Sequence, residues 1–233
     1  VVLMAKSTII KELANGTVDL KTALKRAKIL VYDIGNEEIS GWINSELAGY
    51  PDDAKLPSYR VTSGQLRGSY FKGSLASNAQ WKNVALPLGD MPEDVRKDLL
   101  EIRFTDSVSS IQHLLASAEE KDEGIGKAVP ADCFPAIAHF NHDPFMNITS
   151  ARVEISSHTL KNVLDEVESR LLDMLLLLEG EYGSLDELDI DPSQKTDEER
   201  RDFAEKMIVN TYDDHSIHLG DNSSLRNSEV SSL

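Results

Sequence analysis

Residues 54–89 contain no acid and carry Lys55, Arg60, Arg67, Lys72 and Lys82 interleaved with Tyr59, Tyr70, Phe71 and Trp81. Guanidinium groups fork onto phosphate or carboxylate oxygens and aromatic faces stack bases, so the composition suits a nucleotide or a single strand of nucleic acid. Tyr59, Arg60, Arg67 and Lys72 are the anion-binding candidates. In the competing reading the aromatics are core residues, and the bases form a solvated face or salt bridges to the acidic second half of the chain. Arg60 separates the two. In a cleft it serves a ligand; buried against a carboxylate such as Glu46 it serves the fold.

The remaining constellations are weaker. His139-x-x-His142-Asp143 and His215-x-x-His218-x-x-Asp221 have spacings that suit two imidazoles and a carboxylate on a metal. Nothing nearby marks a further ligand, so ordinary loop and surface histidines are expected and no metal site. Arg152 and His158 fall within the arginine–histidine spacing of a group of helical ribonucleases, where such a pair moves protons around a scissile phosphate. Between them Val153-Glu154-Ile155 alternates like a strand, which favours a structural role. Pro51-Asp52 with Glu119-x-Lys121 imitates a metal-dependent nuclease signature, but the gap is too wide. No Walker loop and no glycine-rich dinucleotide turn occurs. Cys133 is the only cysteine, which excludes an internal disulfide framework and a cysteine-rich zinc site. No cofactor is expected.

These residues must be held by a recognisable set of elements. Ser7 to Ala14 starts a short helix that Asn15-Gly16 stops. From Asp19, Leu20, Ala23, Leu24, Ala27, Leu30, Val31 and Ile34 recur at helical spacing up to Gly35. Asn36, Glu37 and Glu38 open a third helix with Ile39, Trp42, Ile43 and Leu47 on one stripe, ended by Gly49-Tyr50-Pro51. Three short helices suggest a small bundle. Residues 59–72 and 81–88 read as extended or irregular chain. Pro92 opens a helix through about Phe104, and Asp106 caps another to about Ala118. Glu119 to Asn147, rich in Gly and Pro, reads mostly as loop. Thr159 to Glu179 is the longest helix, with Leu160, Val163, Leu164, Val167, Leu171, Met174, Leu175 and Leu178 on one face. Glu179 to Asp191 has six acids and no base and reads as an exposed linker. Thr196 and Glu199 match a capping box for a helix that buries Phe203 and Met207. Beyond Asn210 the chain reads as short extended pieces around Gly220-Asp221-Asn222, a weak hairpin signal.

Composition narrows the class further. The 233 residues are 40% hydrophobic, enough for a core. The longest apolar runs are Val1 to Ala5 and Met174 to Leu178, whereas a membrane-spanning helix needs about 20 apolar residues. The apolar start is likewise too short for a secretory signal, so a cytoplasmic protein with no membrane partner is expected. Net charge is −16, and all of the excess negative charge falls after residue 118. Bulk attraction to nucleic acid is therefore disfavoured, while a local basic surface in the first half remains open to phosphate.

Several blocks of the chain resemble one family. Ile39-Ser40-Gly41-Trp42-Ile43-Asn44-Ser45-Glu46-Leu47-Ala48-Gly49-Tyr50-Pro51, Leu56-Pro57-Ser58-Tyr59-Arg60-Val61 and Gln65-Leu66-Arg67-Gly68 resemble the AbiTii domain of bacterial abortive-infection and conflict systems. Leu86-Pro87-Leu88, Ala151-Arg152-Val153-Glu154-Ile155 and Leu160-Lys161-Asn162-Val163-Leu164-Asp165-Glu166-Val167 are similar to its second half. The resemblance covers about residues 5 to 185, and Glu168 departs from it where a base usually follows the valine. It implies a mostly helical domain in antiphage defence and supplies no catalytic residues to carry over. Asp213 to Leu233 also resembles short segments found between modules of bacterial defence proteins, which suit edge pairing across subunits; a disordered terminus is the other reading.

The expected fold is thus mostly α with a small β component. A helical domain spans residues 5–185, and residues 186–233 form an acidic linker, a helix and an extended tail. The expected function is a defence module that senses or assembles, as a homo-oligomer or with another defence protein, without catalysis of its own. The alternative is a nucleic-acid- or nucleotide-directed effector working through the basic, aromatic segment.

Overall fold

The structure, a computed structural model, describes residues 6–73, 79–121 and 124–212. Helix α1 (Thr8–Ala14) leads into α2 (Leu20–Tyr32), whose N-terminus is capped by Asp19 accepting the Thr22 amide at 3.1 Å. Asn36 caps α3 (Glu37–Ala48) in the same way, accepting the amides of Glu38 and Ile39 at 3.0 and 3.1 Å. Each cap satisfies amides that the first helical turn leaves over and contributes about 1 kcal/mol. The apolar stripes of all three helices meet in one core around Leu13, Leu24, Leu30, Trp42 and Ile43. Gly49 ends α3 at φ +97°, and a Cβ there would lie 3.0 Å from the Thr105 carbonyl oxygen, so both backbone and space require glycine.

The chain then turns to β-structure. Strands β1 (Val61–Ser63), β2 (Gln65–Lys72) and β3 (Ala79–Ala85) are followed by α4 (Glu93–Leu100), β4 (Glu101–Arg103) and α5 (Val108–Lys121). Next come β5 (Ile125–Ala128), α6 (Phe134–Phe140) and β6 (Met146–Ile155). β1 pairs with β4, and a four-stranded antiparallel sheet runs in the order β3-β2-β6-β5. Leu66, Ala151, Val153 and Ile125 on its inner face pack with Leu86, Phe104, Ile111 and Ile137 in a second core. A bulge at Thr149 in β6, opposite Ser69 and Tyr70, interrupts the register with β2.

Helix α7 (Ser157–Tyr182) joins the two cores. Its 26 residues span about 39 Å at 1.5 Å per residue. Leu160 and Val163 lie in the sheet core, while Val167, Leu171, Met174, Leu175 and Leu178 lie in the helical core. Helix α8 (Asp197–Tyr212) begins at the expected capping box, with Glu199 accepting from the Thr196 amide at 2.8 Å and Thr196 Oγ accepting from the Glu199 amide at 3.2 Å. It buries Phe203 and Met207. Among the described residues no helix is long and apolar enough to cross a membrane.

The mostly-α expectation is corrected. The described residues hold eight helices and two antiparallel sheets, 55% helix and 18% strand, an α+β architecture. The physical reason is non-local pairing: Arg67 finds Arg152 as its sheet partner, and nothing local in either segment announces it. Four smaller readings also change. α4 stops at Leu100 because Glu101–Arg103 pairs with β1 instead of extending the helix. Ser107, not Asp106, caps α5, its Oγ accepting the Ser110 amide at 3.2 Å. The stretch read as loop from Glu119 to Asn147 contains β5 and α6, the latter with proline in its first turn, where the missing amide costs nothing. The acidic stretch after Glu179 is no free linker: Leu185 and Ile190 are buried in the helical core. The tail readings beyond Tyr212 lie outside the described residues.

Candidate functional site

Glu46 sits near the C-terminal end of α3, and Arg60 closes a single turn of 3-10 helix, Ser58–Arg60. The packing of that turn against α3 brings the two side chains together with both at 0% exposure. Arg60 Nε donates to Glu46 Oε1 at 3.0 Å and Nη2 donates to Oε2. Nη1 donates to the carbonyl oxygens of Phe104 and Asp106, both at 2.8 Å. The hydroxyls of Tyr50 and Tyr59 each donate to Glu46 Oε1 at 2.7 Å, and Trp42 Nε1 donates to the Tyr59 oxygen at 2.8 Å. The Arg60 guanidinium lies 4.8 Å from the Tyr50 ring centre, and that of Arg170, from α7, lies 4.9 Å from the Tyr59 ring.

The electrostatics follow from this closure. Burial, then the Glu46 charge, pushes the phenols of Tyr50 and Tyr59 far above the ordinary tyrosine value. Burial alone would pull the Arg60 guanidinium down, but the hydrogen bonds and charge of Glu46 outweigh it and keep the cation. Two of the four anion-binding candidates are thereby accounted for: Arg60 has no surface, and the Tyr59 hydroxyl is spent on Glu46. The reason is the one posed by the sequence, a carboxylate that meets the guanidinium inside the fold.

Lys72 and Arg67 lie elsewhere. Lys72 Nζ pairs with Asp143 at 2.5 Å and sits 5.9 Å from the rings of Tyr70 and Trp81, which stack on each other at 4.8 Å. Its hydrogen bond holds the Asp143 carboxyl below the ordinary aspartate value. Arg67 stands on the outer face of the sheet, directly opposite Arg152 across the β2–β6 pair. Glu154 bridges them, with Oε2 3.2 Å from Arg67 Nε and Oε1 3.3 Å from Arg152 Nε. Beside the bridge lies an open cavity of about 460 Å³, lined by Ser69, Asn83, Gly126, Ser150, Arg152 and Glu154 among others.

The histidine readings resolve separately. His142 Nε2 lies 2.6 Å from Asp90 Oδ2 at the surface, and His139, His142 and Asp143 line a shallow groove beside α6. Among the described residues no group of His, Cys, Asp or Glu is arranged to hold a metal. His215, His218 and Asp221 lie outside the described residues. Arg152 turns away from any partnership with His158, donating to the Gly124 carbonyl at 2.6 Å.

The AbiTii family model matches residues 7–202, a span that includes the sheet core, all of α7, the start of α8 and the buried residues of the helical core other than Phe203, Ala204 and Met207. The chain belongs to the AbiTii family. The family supports a role in abortive-infection defence. No curated protein and no solved structure matches it. In this AbiTii chain the most recognisable block, Trp42, Glu46, Tyr50, Tyr59 and Arg60, is the closed interior network itself. Glu154 and Asn83 went unread in the sequence as site residues; the usable signal was Arg152 and Glu154 two apart on one strand face.

Proposed function

We propose that this AbiTii chain is a cytoplasmic defence module that acts by sensing and assembling, with itself or a second defence protein, and not through chemistry of its own residues. The observation that supports this reading is the closed Glu46–Arg60 network: Trp42, Glu46, Tyr50, Tyr59 and Arg60, the most recognisable block of the resemblance, face one another and not a cleft. They set the angle between α3 and the β1–β4 pair, a scaffold's task. Exposed apolar side chains add to it. Ile29 and Tyr32, one turn apart on α2, are 52% and 79% exposed, and Val209 on α8 is 58% exposed. Such groups at a surface suit protein contact.

Native mass spectrometry of the full chain over a concentration series tests the reading. Multiples of 25.8 kDa that dissociate in Tyr32→Glu are the expected result. A strict monomer at high concentration, with phage protection in cells unaltered by Tyr32→Glu, overturns it. The second reading, a nucleotide- or nucleic-acid-directed effector, retains Arg67 and Lys72 of its original residues. The opposed arginines on the outer sheet face favour it.

A further inference from the structure

We infer that the outer face of the sheet holds a binding site for the phosphate of a small phosphorylated molecule, gripped by Arg67 and Arg152. This deepens the effector reading and rests on Arg67 being an anion ligand; assembly is a separate property with its own readout.

The site is built by strand register. Gln65 pairs with Glu154 and Glu154 with Gly126, forming one outward row; Ala85, Arg67, Arg152 and Ala128 form the next, and Ser69 opposite Ser150 continues the face. Like charges directly opposite across antiparallel strands repel. This sheet nevertheless sets two guanidiniums opposite each other, 31% and 41% exposed, and Glu154, 17% exposed, sits between them. The carboxylate sets one oxygen against each Nε as an ion pair, and Arg67 Nε also donates to Asn83 Oδ1 at 3.5 Å. Each Nη2 is anchored to a backbone carbonyl, Arg67 to Asn83 and Arg152 to Gly124. Both Nη1 groups are left without a protein partner among the described residues. The result is two pre-oriented forks, positioned by their inner edges and free along their outer ones, which suits an anion with several oxygens.

The surroundings leave room and add polar groups. The flanking positions are small: Ala85, Ala128, Gly126, Ser69 and Ser150. Asn83 adopts φ +48°, an uncommon conformation for a residue other than glycine, at the place where β3 bulges against β2. There its amide donates to Ser69 Oγ at 3.1 Å and its carbonyl receives Arg67. Bulges of this kind re-aim side chains beside binding sites.

Glu154 lines two open cavities, one of about 460 Å³ that Arg152 also lines and one of about 490 Å³ that Arg67 also lines, each the size of a small-ligand site. A polynucleotide fits less well, because the chain carries net charge −16 and neither adjoining cavity is lined by a Lys or Arg other than this pair. A phosphate monoester, with close to two negative charges at neutral pH, can satisfy both guanidiniums at once.

Isothermal titration calorimetry of the full chain tests this with inorganic phosphate, AMP and a single-stranded oligonucleotide at fixed salt. Saturable 1:1 binding of phosphate and AMP is expected. Arg67→Gln and Arg152→Gln should each weaken it by about tenfold or more, the loss of a charge-assisted hydrogen bond. Glu154→Gln should tighten it by removing the competing anion. Because these three changes also disturb the bridge, Ala128→Glu provides a second arm: it places a new carboxylate at an exposed position opposite Arg152 and should abolish binding with an unchanged melting temperature.

Absence of saturable phosphate and AMP binding overturns the assignment. So does weakening by Glu154→Gln to the extent seen for the arginine variants, or indifference to Ala128→Glu. Oligonucleotide binding without AMP binding also overturns it, while leaving the broader effector reading standing; no binding by any of the three ends both.

Discussion

The guanidinium of Arg60 and the carboxylate of Glu46 face each other wholly inside the protein, joined by two hydrogen bonds, while two tyrosine hydroxyls share the same carboxylate. Taking both charges out of water is costly, so the pair is sustained by its geometry and by the completeness of its hydrogen bonding. Arg60→Ala leaves Glu46 buried without a counter-charge and should cost about 3–5 kcal/mol, read as a lowered denaturation midpoint. Arg60→Met combined with Glu46→Leu should recover much of that loss, since neither charge then remains. At temperatures where Arg60→Ala is folded, its phosphate binding should equal that of the unaltered chain. A variant that keeps full stability and loses anion binding would return Arg60 to the surface role.

The tyrosines of the network predict an alkaline limit. Tyr50 and Tyr59 have folded-state pKa values raised above the ordinary 10.0, first by burial and then by Glu46. A group raised on folding contributes stability fully below its unfolded pKa and loses it as pH rises toward the folded value. Stability should therefore fall progressively above pH 10. In a spectrophotometric titration at alkaline pH, Tyr50 and Tyr59 should ionise only together with unfolding, and Tyr50→Phe should remove one such phenol. Ionisation of all the tyrosines with the fold intact would contradict the network.

How far the sequence foretold this arrangement depends on the range of each interaction. The caps at Asp19, Asn36 and Thr196 and the stripes of α2, α3 and α7 are local patterns, and the helices stand where those patterns set them. The sheet is not local. Ser69 pairs with Ser150 and Ile125 with Ile155, across chain separations that carry no mark in either segment, so β2, β3 and the end of β6 were legible as extended chain, while β4, β5 and the sheet itself were not. The candidate site divides in the same way. Basic and aromatic residues at 59–72 were visible as a composition, but whether each side chain turned inward or outward was decided by register and by Glu46. The closed pair was legible only as one of two alternatives.

Acid should release the N-terminal helix first. Glu179, on the last turns of α7, accepts both the amide and the hydroxyl of Ser7 at 2.6 Å and pairs with Lys6 at 2.6 Å. Burial alone would raise its pKa, but the bonds from Lys6 and Ser7 outweigh it and hold the carboxyl below the ordinary 4.5. A depressed carboxylate contributes stability above its unfolded pKa and loses it as pH falls through the folded value. Protection of the α1 amides, taken relative to the intrinsic exchange rate at each pH, should therefore fall below pH 4.5, ahead of protection in α3. Glu179→Gln should show low α1 protection already at neutral pH and little further change on acidification. A pH-independent α1 protection in the unaltered chain would refute the tether.

The segment after Glu179 gives the sharpest contrast between a linker and a core element. Leu185 is 0% exposed, and its amide donates to Ser7 Oγ at 2.9 Å, so the acidic stretch is tied to the start of the chain. Leu185→Ala should create a cavity in the helical core and cost about 2–5 kcal/mol, as large-to-small changes do in packed cores. Met207→Ala, on α8 in the same core, should be similarly costly. If residues 186–212 formed an independent unit, Leu185→Ala would leave stability unchanged and denaturation would show two transitions. A single cooperative transition, displaced by both substitutions, is the outcome the shared core requires.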